Sequence, residues 1–60
     1  MIYETVYPVA GTGVQVTRIT DDTDDLELIN LAIDDGAADI DLTVDDAGLL
    51  AQALLKAIGY

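Results

Sequence analysis

Carboxylates are the only chemistry-bearing side chains this 60-residue chain holds in quantity: ten aspartates and two glutamates. General acid–base work needs two of them held in a cleft with displaced pKa values. Here they fall in short polar runs. Asp21, Asp22, Asp24 and Asp25 share one run, and Asp34 and Asp35 share another. Such runs read as solvated turns. Histidine, cysteine and serine are absent. That removes the usual general base, thiolate metal sites and the ordinary nucleophilic triads. Asp21, Thr23 and Asp25 have the spacing of the first three EF-hand ligands. The motif then fails, because Leu26 stands where glycine is required and Ala32 where the bidentate glutamate belongs. A weak calcium site in this run is the third reading of the chain. Gly11-Thr12-Gly13 lacks the rest of any phosphate-loop pattern and has no following lysine. The expectation is a protein that is not an enzyme and has no metal and no cofactor.

One arrangement of acids suggests a sharper function. In Ala38–Leu42 the residues alternate, with Asp39 and Asp41 on one side of a strand and Ile40 and Leu42 on the other. Two strand steps separate the carboxylates by about 7 Å. Phosphates follow each strand of duplex DNA at about 3.4 Å intervals. Asp39 and Asp41, with Asp22, Asp24, Asp34 and Asp35 near the strand ends, form a candidate acidic face that imitates such a row. Its partner is a protein with a basic or DNA-binding surface. The plainer reading is acidity for solubility or salt adaptation on a structural or stabilising subunit.

Charge and length narrow the rest. The net charge is −10, and Arg18 and Lys56 are the only basic side chains. That field repels nucleic acid and anionic membranes and attracts basic proteins. Sixty residues allow one domain, 1–60, and leave stability marginal without a staple or a partner. Yet 52% of residues are hydrophobic, which argues against disorder. No stretch approaches the roughly 18 apolar residues of a membrane span. Met1–Glu4 lacks the basic and apolar regions of a signal peptide. A cytoplasmic location is the default.

The elements that must position these residues are legible in outline. Strands are predicted at about 2–9, 14–20, 26–33 and 38–42, from β-branched and aromatic content and from alternation. Pro8 ends the first strand or puts it at a sheet edge. Residues 10–13 form a hairpin turn, 21–25 a polar loop, and Asp34-Asp35-Gly36 a turn. Short connections make neighbours antiparallel. A helix is predicted at about 44–58, with Thr43 as N-cap and Asp46 at N3, an acidic variant of the capping box. Lys56 suits the last turns and Gly59 the terminus. The fold expected is α+β: a three- or four-stranded antiparallel β-meander with the C-terminal helix packed on one face.

The segment Leu42–Leu55 resembles the L-T-P-E-E-A-x-x-L-A-x-A-L helices that close many small uncharacterised actinobacterial and phage proteins. Val44 replaces the usual proline, and Asp45-Asp46 replace Glu-Glu. The resemblance covers the last third of the chain. It implies strands followed by a helix, no activity, and a phage-encoded interaction protein.

Apolar surface exceeds what one small sheet can cover. On a wheel of 100° per residue, the helix's Leu, Ile and Ala positions fill an arc of roughly 240°, against the roughly 100° a core contact needs. Leu50, Leu54 and Ile58 are expected to face the sheet. Ala51 and Leu55 then need another surface. Within residues 26–33, Ile29, Leu31 and Ile33 point one way and Leu26 and Leu28 the other. A homodimer, or a site for another protein, is therefore expected, with Ala51, Leu55, Leu26 and Leu28 at the interface.

Overall fold

Four eight- or five-residue strands and one helix follow from these local signals. The computed structural model describes residues 1–59. It places β1 at Ile2–Val9, β2 at Val14–Asp21, β3 at Leu26–Ile33, β4 at Ala38–Leu42 and α1 at Val44–Ala57. The strands form one sheet in the order β1-β2-β3-β4, and every neighbouring pair is antiparallel. The chain is an α+β meander, as its β-branched runs and short loops predict. β2 extends one residue further than expected, taking Asp21 out of the loop and into the ladder opposite Ile2 and Leu26.

Each turn uses residues suited to its backbone. In the β1–β2 hairpin, Gly11 and Gly13 both have positive φ. Thr12 donates its hydroxyl to the Val9 carbonyl at 2.7 Å and accepts from the Val14 amide at 3.0 Å. The β3–β4 turn also spans four residues. Asp34, Asp35 and Gly36 lie in succession in the left-handed region, with φ of 53°, 54° and 91°. Aspartate and glycine are among the few residues that tolerate it. The two turns clasp one another, because the Asp35 amide donates to the Gly13 carbonyl at 3.0 Å. A Cβ at Gly13 would lie 3.1 Å from Asp35 Oδ1, so that approach needs glycine twice over.

The helix begins as its capping residues predict. Thr43 is extended, and its hydroxyl accepts from the Asp46 amide at 3.1 Å. Asp45 and Asp46 occupy the first turn and Lys56 the last, each favoured by the helix dipole. Gly59, at φ 99°, follows the end.

Packing departs from expectation along the helix. α1 touches β3 and β4, and only Ala47 and Leu50 of its residues are half-buried. Leu54 and Ile58, expected against the sheet, are 60% and 68% exposed. Fourteen residues make a helix of about 21 Å. β4 ends opposite Ile29, so the helix starts partway along the sheet and has little sheet left to cross. The Cα radius of gyration is 12.6 Å, against about 10 Å for a compact 60-residue domain.

The core is correspondingly thin. Among the described residues only Ala32 (9% exposed) and Thr17 (8%) are buried, and no large side chain is fully enclosed.

Candidate interaction surface

Register decides what each face of the sheet carries, because residues directly opposite in antiparallel strands share a face. One row is Tyr7, Val16, Leu31 and Ile40, and the next is Thr5, Arg18, Ile29 and Leu42. Tyr3, Val9, Val14 and Ile33 complete the apolar part of that face. Its only ionised side chains are Arg18 and Glu27. Arg18 Nη2 donates to Glu27 Oε2 at 2.8 Å, so the face is electrically neutral. An exposed pair of this kind adds at most about 1 kcal/mol to stability. Its larger effect is to cancel charge on an otherwise apolar surface.

The other face is different. Its rows are Ile2, Asp21 and Leu26; Glu4, Ile19 and Leu28; Val6, Thr17, Asn30 and Asp41; and Pro8, Gln15, Ala32 and Asp39. Four carboxylates and no basic side chain stand there. Asn30 Nδ2 donates to Asp41 Oδ1 at 2.8 Å and orients that carboxylate. Asp21 Oδ1 accepts from the Thr23 amide at 2.9 Å, and the Met1 amine lies 2.8 Å from Asp22 Oδ1.

The six acids named from sequence are therefore only partly gathered. Asp39 and Asp41 share the acidic face of β4. Asp22 and Asp24 lie in the β2–β3 connection. Asp34 and Asp35 lie in the β3–β4 connection at the opposite end of β3, about 26 Å away over eight strand residues. Glu4 and Asp21 belong to the acidic face and were not among the six. Their signal was the β1–β2–β3 register, which the two-glycine hairpin sets. The four apolar residues named for an interface also divide. Leu26 and Leu28 lie on the acidic face, while Ala51 and Leu55 lie on the exposed helix.

Little of this surface suits chemistry at a point. Among the described residues, no three acidic side chains stand close enough to hold a metal ion. A hollow of about 360 Å³ lies where the two clasped turns meet, and Asp35 is its one ionisable lining group. No helix among the described residues is long and apolar enough to cross a membrane. No family model, no curated protein and no solved structure matches the chain.

Proposed function

We propose that this chain is a non-catalytic protein-interaction module that self-associates through apolar surface and turns an acidic side toward a basic protein. The observation that carries this reading is the missing core. A chain that is 52% hydrophobic leaves large apolar side chains exposed on the sheet and along the helix, and among the described residues buries only Ala32 and Thr17. Apolar patches of that extent mark interaction surfaces. Segregated charge gives the association a direction, since the acids gather on one sheet face and at the strand ends. Sedimentation equilibrium over a dilution series, at physiological and at molar NaCl, tests the reading. A dimer at both salts is the expected result. A monomer at both removes self-association and leaves a subunit that docks on a larger protein.

The acidic side has a narrower use as an imitation of DNA. Asp39 and Asp41, about 7 Å apart, stand in for phosphates of one strand. Such a mimic displaces labelled duplex from a basic DNA-binding protein, a linker histone for instance, in a gel-shift competition. Asp39→Asn with Asp41→Asn weakens that competition. If the unmodified protein leaves the histone–DNA band unchanged, the imitation is abandoned and the acids serve solubility.

A further inference from the structure

We propose that the neutral sheet face is covered by a second copy of this chain, docked sheet to sheet over the row Tyr7, Val16, Leu31 and Ile40. The proposal rests on the self-association argued above and names its surface.

Area is the first argument. The chain exposes 4635 Å². A compact monomer of this mass exposes about 3,700 Å². The surplus, on the order of 900 Å², is close to the roughly 800 Å² each partner contributes to a standard-size interface. The outer residues of the row are open to it, Tyr7 at 58% and Ile40 at 54% exposed, while Val16 and Leu31 are half-buried.

Charge is the second argument, and it selects both the face and the occupant. Two copies carrying −10 each repel wherever their acids meet. On the face bearing Glu4, Asp21, Asp39 and Asp41 the Met1 amine, 3.4 Å from Asp21 Oδ1, offsets one charge and leaves three. On the Tyr7–Ile40 face the Arg18–Glu27 pair leaves no net charge. A basic partner is drawn to the acidic face rather than to this one. The surface that complements a neutral apolar sheet is another neutral apolar sheet, and the chain supplies its own. A shallow hollow of about 210 Å³, lined by Leu31, Ile33, Ala38, Asp39 and Ile40, can receive an apolar side chain from the facing copy. Sheets packed this way lie about 10 Å apart.

The test compares wild type, Ile40→Glu and the opposite-face control Val6→Glu by sedimentation equilibrium. Wild type and Val6→Glu are expected to dimerise alike, and Ile40→Glu to dissociate at least ~100-fold more readily, as for loss of a central interface residue. If Ile40→Glu dimerises as tightly as wild type, the face is wrong although self-association stands. If wild type is monomeric, self-association itself falls and this proposal with it. Should Ile40→Glu fail to fold, methyl NMR of the wild-type protein with a soluble gadolinium chelate decides. Ile33 and Ile40 methyls, as exposed in the single chain as Val6, are expected to be shielded relative to those of Ile2 and Val6. Equal broadening on both faces overturns the proposal.

Discussion

A thousandfold dilution lowers the melting temperature of this protein by on the order of 15 °C. With only Ala32 and Thr17 buried among the described residues, the isolated chain has little apolar burial to set against the conformational entropy of 60 residues. Folding and association are then one equilibrium, and stability depends on concentration. Diluting a dimer a thousandfold removes about 4 kcal/mol of mass-action stabilisation per dimer. The unfolding entropy of both chains, at about 2.1 cal/mol/K per residue, converts that figure into the stated shift. Circular dichroism melts in cells of different path length measure it directly. A melting temperature unchanged by dilution means that the chain folds as a monomer, and the self-association reading fails.

Replacing Ala32 with aspartate unfolds the protein. Ala32 sits in β3, one of the two inner strands, opposite Gln15 on β2 and Asp39 on β4. A carboxylate there loses most of its water and faces a second carboxylate across the ladder, where like charges destabilise. No basic side chain shares that face; Arg18 projects from the opposite one and is engaged by Glu27. An unpaired charge at such a site costs about 3–5 kcal/mol. A 60-residue fold has about 3–9 kcal/mol in total, at 0.05–0.15 kcal/mol per residue. Loss of the far-ultraviolet strand signal at 25 °C is expected, with Ala32→Ser retaining it. Adding Asp39→Lys to Ala32→Asp supplies an opposite charge across the ladder and restores part of the signal. If Ala32→Asp melts like wild type, the register or the burial assigned to this position is wrong.

The sequence made the elements legible and left their relations obscure. Thr43 and Asp46 announce the helix start because capping is local chemistry. Asp34-Asp35-Gly36 announces a turn because few other residues accept left-handed backbone. Ile29, Leu31 and Ile33 separate from Leu26 and Leu28 because strand periodicity needs no tertiary information. The acidic face was read only in part. Placing Glu4 and Asp21 beside Asp39 and Asp41 requires the pairing of three strands, and that is long-range. The helix was misread at Leu54 and Ile58 for a related reason. A wheel ranks the apolar sides of a helix but does not know where the sheet beneath it stops.

The two outer strands bear on what stops this protein from growing without limit. β1 carries Pro8, which has no amide hydrogen to offer a further strand, and β4 is five residues long with two aspartates. Proline, shortness and charge are all deterrents to strand addition. Pairing along an edge leaves a fresh edge for the next molecule and propagates into a fibre. Pairing face to face about a two-fold axis consumes the sticky surface of both molecules at once and closes. With its edges guarded, a chain that docks through the Tyr7–Ile40 face finishes as a discrete particle.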